Sequence, residues 1–535
     1  MVNAQQMNQL KSRGLCLAGI LAIVFAIHTL LATPVFAEQD PSAKHIILFI
    51  GDGMQLEHER ATSFYLHGVD NGLSFHDFPY QTSVATWDVN TYNRYAWWMN
   101  QPPYDPARFN PFVGYNPAQG GTQPYPLDTD ASDAYFLTPL YRHGSLSGPS
   151  YAATDSASSA TAMATGKKTE AGRLAWAPGG EEGGELDTIA EIMRRQRQAA
   201  IGVVSTVPFN HATPAAFVSH NVSRGNTYTG RGGYEGQGIA DEIILDLQPD
   251  VVIGAGHPKW DNPDFDTNRG FISEKLYNHL RESQDFVFVE RQEGQDGGKA
   301  LKTAATQAIN EGRRLFGLFG GPGSNFEPPI PHHKPGEPYI ERATEENPTL
   351  SDLSVEAIRV LSQNPNGFFL MIEQGDLDWA NHSNDYGWMI GTTWDLDEAV
   401  KDVLEFIEED ETLDWTNTLL IVTSDHGNNY LRLIDEDRLG AGVLPRQEQA
   451  SEEERAAGAG PYVYPDGEVT MASTSHTNEL VTLYAKGEAA VIFESFEGKW
   501  YPGTRIIDNT HIFDVMALAA GVNSHGAVPV PLMQK

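Results

Sequence analysis

His45-Ile46-Ile47-Leu48-Phe49-Ile50-Gly51-Asp52-Gly53 is the stretch on which the fold turns. Its apolar part does not alternate with polar residues, as a strand with one wet face would. A continuous run of this length, closed by glycines, reads as a strand buried on both faces, the pattern of a parallel sheet covered by helices. Four further runs have the same character, at residues 200–204, 251–254, 368–372 and 419–423. Between them lie helical spacings: Leu186, Ile189 and Met193 before the second run, and Leu353, Ala357, Ile358 and Leu361 before the fourth. Strands alternating with helices predict an α/β fold, a large open, mostly parallel sheet with helices on both faces.

Carboxylates stand where these runs end. Asp52 follows the first, Glu373 the fourth and Asp425 the fifth. In open α/β sheets ligands bind at the carboxyl edge of the strands, so three acids there mark a candidate site, although any one of them could simply end a strand in a turn.

Two stretches read as surface insertions. Residues 87–149 are rich in aromatics, Asn, Gly and Pro, and are expected to be irregular but packed. Residues 431–466, with Glu452, Glu453 and Glu454 in a row, are expected to be a solvated excursion. The Pro-rich 321–338 segment, with His332 and His333, reads as an exposed loop.

Ahead of the first strand, Lys11 and Arg13 precede an apolar run from Leu15 to Leu31, and Val35-Phe36-Ala37 offers small residues for cleavage. Residues 1–37 are therefore expected to be a secretory signal peptide, leaving 38–535 as one catalytic domain, periplasmic or extracellular, with no membrane anchor after cleavage. The only cysteine, Cys16, would leave with that segment, so no disulfide or thiolate ligand is expected. The formal charge of the 535-residue chain is −35. Such a surface repels phosphate backbones, which argues against nucleic acid as a stable partner and predicts tolerance of salt.

Thr154-Asp155-Ser156-Ala157-Ser158-Ser159-Ala160-Thr161-Ala162-Met163-Ala164-Thr165-Gly166 predicts a helix beginning at Ser156 and stopped by Gly166. Ser156 then lies in the first turn, where free N–H groups and the positive dipole end favour an anion, though a capping serine would look the same. Serine needs help to ionise. Asp52, Asp425 and His426 offer oxygen and nitrogen donors for one Zn²⁺; Asp378 and His382, four apart on a helical turn, offer them for another. His476, in Ser475-His476-Thr477, is the candidate third ligand of the latter.

Taken in order, Gly51-Asp52-Gly53-Met54, Thr154-Asp155-Ser156-Ala157-Ser158, His211-Ala212-Thr213-Pro214-Ala215, Glu373 with Asp378 and His382, Ser424-Asp425-His426-Gly427 and Ser475-His476-Thr477 resemble the alkaline phosphatases. The resemblance implies hydrolysis of small phosphate monoesters through a phosphoserine on Ser156. It implies two zinc ions, one on Asp378, His382 and His476 and one on Asp52, Asp425 and His426, with Ser156 facing the second. It also implies one magnesium on Asp52, Thr213 and Glu373, a phosphate grip by Arg224 that Asp155 orients, and a homodimer. Two substrate-adjacent positions depart from many members: His211 where some have aspartate, and Trp379 where others have a basic residue. Rival readings are a phosphodiesterase or sulfatase on the same fold, or a noncatalytic metal- or phosphate-binding protein. The sequence after Ser156 lacks the C/S-x-P-x-R context of a sulfatase.

Overall fold

The side chains of the first strand, β1 (His45–Gly51), part company residue by residue. Ile46, Leu48 and Ile50 enter one hydrophobic core, and Ile47 and Phe49 enter a second on the other face. Each such side chain removed from water contributes about 1.5–3 kcal/mol, so a run with no polar member can be stable only between two layers. The computed structural model describes residues 42–107, 110, 113, 153–180, 182–231, 236–261, 270–456 and 460–523. The expected leader, Cys16 and the greater part of the 87–149 insertion lie outside the described residues.

The other strands of the main sheet are β2 (Tyr80–Ala85), β3 (Ala200–Pro208), β4 (Val251–Ala255), β5 (Phe286–Glu290), β6 (Arg314–Leu318), β7 (Phe368–Gln374), β8 (Thr418–Thr423), β9 (Val481–Lys486) and β10 (Ile507–Asp508). They form one ten-stranded sheet in the order β10-β2-β9-β8-β1-β7-β3-β4-β6-β5. Only β9 runs against the rest, pairing antiparallel with both β8 and β2. β1 lies at the centre, parallel to β8 on one side and β7 on the other, with Ile50 level with Thr423 and Glu373. β3 follows β7, with Ser205 level with Glu373. The carboxyl ends of β8, β1, β7 and β3 therefore meet on one edge, where the predicted acids stand.

The helix Ser156–Thr165 lies beneath that edge with all ten residues buried, which only small side chains permit at such close packing. The Asp155 carboxylate caps it by accepting from the Ser158 N–H at 3.0 Å, and Gly166 closes it at φ 69°. A Cβ on Gly166 would meet Phe513 Cδ1 at 2.6 Å.

Four expectations need correction. Leu186 stands outside its helix, which spans Ile189–Arg197 because Thr188 and Glu191 form a capping box. Within the insertion expected to be irregular, Val89–Trp98 is a helix capped by Asp88, and Trp87, Tyr92 and Tyr95 form a third core with Tyr501. The 431–466 stretch is not wholly solvated: Leu431–Leu433 pairs with Val469–Met471 and buries both leucines, while Glu452, Glu453 and Glu454 are exposed. The 321–338 segment is not simply a loop, since Ile330–His332 pairs with Tyr339–Glu341. Among the described residues no helix is long and apolar enough to cross a membrane.

Candidate metal centre and active site

β1 ends in a turn that delivers Asp52. The next residue, Gly53, sits at φ 69°, and a Cβ there would lie 2.9 Å from Asp378 Oδ1 and 3.3 Å from Asn428 Cβ. β8 delivers Asp425 and His426 into the same space, and Asp425 Oδ1 accepts from the Gly53 and His426 amides, both at 3.0 Å. The helix below brings Ser156 Oγ to 3.3 Å from Asp52 Oδ2 and 3.2 Å from His426 Nε2. That His426 nitrogen is also 3.3 Å from both Asp52 Oδ1 and Asp425 Oδ2. Asp52 and His426, from two distant parts of the chain, thus meet at the Ser156 hydroxyl, with Asp425 against His426.

A second group forms beside it. The helix Asp376–His382 follows β7 and aims Asp378 and His382 the same way, with 3.2 Å between Asp378 Oδ2 and His382 Nε2. His476 arrives on a short ladder that pairs Asn428 with His476 and Gly427 with Thr477. Its Nε2 lies 3.4 Å from Asp378 Oδ1 and 3.1 Å from His382 Nε2. The groups are contiguous: the His426 and His476 rings stack at 3.6 Å, and Asp52, Asp378 and His426 offer atoms within 4.8 Å of one another.

The donor chemistry fits cations. A carbonyl can only accept, so the Nδ1 atoms of His382 and His476 donate to Thr474 O at 2.6 Å and Thr154 O at 2.8 Å. Their Nε2 lone pairs then face one another and a carboxylate, the arrangement in which an outer hydrogen bond orients a metal-binding imidazole. The polypeptide meets the same need with a proton: against burial, Asp378 lifts His382 to about 9, and against burial His476 and His382 hold Asp378 well below the usual carboxylate range. In the inner group burial dominates. It lowers His426 to about 4 and, helped by Asp425, Asp378 and Glu373, raises Asp52 well above its ordinary value. Asp425 Oδ2, Glu373 Oε1 and Thr213 Oγ1 are buried without a hydrogen-bond partner. Unpaired oxygens of this kind cost stability unless a donor or cation meets them.

Glu373, pushed up to about 7 mainly by burial, accepts from Ser205 Oγ through its other oxygen. Arg224 Nη1 donates to Asp155 Oδ2 at 2.9 Å, and Arg224 Nη2 lies 3.4 Å from His211 Nε2. Against burial, Arg224 and the amides of Ser158 and Gly172 hold Asp155 at about 2. Burial and Arg224 lower His211 to about 3, so its imidazole is neutral. Trp379, beside Asp378, is partly exposed, at 44%.

A model of the family described as alkaline phosphatase matches residues 118–457, more than half of the chain. The chain belongs to the alkaline phosphatase family. It is similar to alkaline phosphatase 4 of Bacillus subtilis, 30% identical over 278 residues that cover 52% of this chain and 50% of that protein. With the alkaline phosphatase of Escherichia coli it shares 33% over 327 residues, covering 55% and 63%. The matches thus span between half and two thirds of these relatives' own length. A cold-active alkaline phosphatase from Shewanella sp. has the same fold, with a TM-score of 0.55 at 20% identity over 89% of this chain and 99% of that one. Asp52 and His476 fall outside the residues the alkaline phosphatase model matches, and it is the fold that carries them in.

The cluster also includes residues that a search for charged and imidazole groups passes over. Asn428 Nδ2 donates to Asp378 Oδ1 at 2.6 Å, and Asn381 Nδ2 donates to Gly53 O at 3.1 Å. Asn429 joins Asn381 to the buried His58. The one available signal is adjacency, Asn428-Asn429 directly after Asp425-His426-Gly427.

Proposed function

We propose that the chain is an exported, metal-dependent phosphomonoesterase that works through a phosphoserine on Ser156. The observation that carries this reading is the convergence of Asp52 and His426 on Ser156 Oγ, with Asp425 against His426 and with Asp378, His382 and His476 alongside. The two nitrogen-and-oxygen sets suit Zn²⁺, and the all-oxygen set of Asp52, Thr213 and Glu373 suits Mg²⁺. When bound, such ions stabilise an ionised hydroxyl and neutralise charge on the phosphoryl and departing oxygens.

The chain's own residues do the rest. Ser156 Oγ, in the first turn of its helix, gives up its proton to solvent and attacks phosphorus in line with the departing alcohol oxygen. The P–O bond to that alcohol breaks as the serine ester forms, and the alcohol oxygen takes up a proton from water. The first-turn amides and the Arg224 fork hold the nonbridging oxygens. Asp155 keeps Arg224 aimed, because its other contacts fix it to the start of the helix. His426, held neutral by burial, has a ring-nitrogen lone pair to offer a cation. Water then attacks the phosphoserine from the vacated side, releasing phosphate and restoring Ser156.

Burial of His211 and its lack of charge leave Arg224 as the cationic group at the substrate position. A doubly charged monoester gains more from that cation than a diester or a sulfate ester does. Rates on a monoester, a diester and a sulfate ester, before and after chelation and return of Zn²⁺ and Mg²⁺, test the reading. Monoester turnover lost on chelation and restored by the metals is expected. Equal rates on monoester and sulfate, or indifference to metal stripping, overturn it. The same reading removes residues 1–37 on export and pairs two chains; amino-terminal sequencing and sedimentation of the secreted protein check both.

A further inference from the structure

Lys168 is buried, yet it takes no part in the centre described above. Its ammonium donates to Trp87 O at 2.7 Å and Asn509 Oδ1 at 2.6 Å, and it stands 3.1 Å from Asp508 Oδ1. The Trp87 ring covers it at 4.1 Å. An ammonium has three N–H donors and no acceptor. Three acceptors consume them, so none is left for a substrate.

The consequence is directional. Because Lys168 can only donate, it dictates that the oxygen of the Asn509 amide faces it and that the NH₂ group faces the other way. Asn509 Nδ2 donates at 2.9 Å to Ser159 Oγ. The single hydrogen of Ser159 is then committed to Asp425 O, at 2.6 Å. Ser159 sits one turn beyond Ser156 on the same buried helix. Its bond therefore ties the helix that carries Ser156 to the strand end that carries Asp425 and His426. Were the Asn509 amide to turn over, its oxygen would compete for the Ser159 hydrogen and this tie would be lost.

We propose that Lys168 is a positioning residue: by fixing the direction of the Asn509 amide, it makes Ser159 hold the main chain of Asp425 against the Ser156 helix. The inference rests on the reading of Ser156 and Asp425 given above. It predicts a chain of dependence, since Lys168 acts only through Asn509 and Ser159, and residues that act through one path have non-additive effects.

The test compares the full-length zinc- and magnesium-loaded protein with K168M, N509D and S159A, singly and with S159A added to each of the others. N509D keeps the shape and satisfies Lys168 but has no hydrogen for Ser159. Each single change is expected to lower kcat on a phosphate monoester about tenfold, with KM moved less than about twofold, and to speed zinc loss to a chelator about tenfold. K168M/S159A and N509D/S159A are expected to match S159A alone. Doubles that lose about a hundredfold, the product of independent effects, overturn the inference, as do singles indistinguishable from the parent protein. Should K168M not fold by circular dichroism, the N509D and S159A cycle decides alone. A parent protein that neither holds zinc nor hydrolyses the monoester sinks the reading of the site. One that does both while N509D and S159A behave like it sinks only the role of Lys168.

Discussion

The two histidine–carboxylate groups touch, yet they live in different surroundings. The side chains of Asp52, Asp425 and His426 are 2%, 0% and 0% exposed; those of Asp378, His382 and His476 are 12%, 40% and 18%. Burial sets the inner imidazole neutral at about 4, while Asp378 lifts the outer His382 to about 9. Similar ligands thus acquire different characters from depth and from the carboxylate each imidazole faces. On the proposed reading the enclosed group serves the nucleophile, where water would compete. The open group serves the departing alcohol and the entering water, which must come and go.

The severest way to break this comparison is to remove what the inner group converges on. Ser156→Ala should cut kcat by at least about 10³-fold, as loss of a nucleophile does, while leaving zinc content unchanged by metal analysis. Asp425→Asn strikes the inner group itself, and kcat should fall about 10²–10³-fold without recovery in excess zinc, because a buried group leaves a lost charge poorly compensated. His382→Ala strikes the outer group; a loss of about 10–100-fold, recovered in part by millimolar zinc, is expected there. If both variants respond alike to added zinc, depth does not separate the groups.

A gentler experiment sharpens the comparison with a histidine remote from the centre. His220 is clasped by Glu242 at 2.7 Å and Glu191 at 3.3 Å, which against burial raise it to about 10. Its folded pKa exceeds the unfolded value of about 6.5, so its stabilisation is complete below that pH and is lost as pH rises through about 10. Thermal melts of His220→Gln should therefore lie furthest below the parent protein near pH 6, by a few kcal/mol, and approach it by pH 10. A constant gap across that range would mean that packing, not charge, holds His220.

What the sequence made legible follows from the same physics. The runs at residues 46–50 and 368–372 could be read because strands buried on both faces are mostly apolar, with polar residues gathered at their ends. The helix from Ser156 was visible because deep packing demanded small residues, and the donor sets because metal-binding side chains are few in kind. The Val89–Trp98 helix was hidden: Tyr92, Tyr95 and Trp97 are weak helix formers, and it is the burial of Tyr92 and Tyr95 with Trp87 and Tyr501 that selects the conformation, Trp97 being exposed. Leu431 and Leu433 were hidden by their acidic neighbours. Asn381, Asn428 and Asn509 were hidden for a different reason. An amide that orients a ligand has the same letter as one that caps a turn, and only its partners tell the two apart.

Gly53 carries none of the chemistry, yet a methyl group there would press on Asp378 Oδ1 at 2.9 Å. The distance between the two donor groups is thereby written into the main chain, whereas the affinity of each is written into its side chains. A laboratory search for altered metal preference can randomise the ligands around a spacing that stays put. At position 53 the same search must accept both a strained φ of 69° and a displaced Asp378.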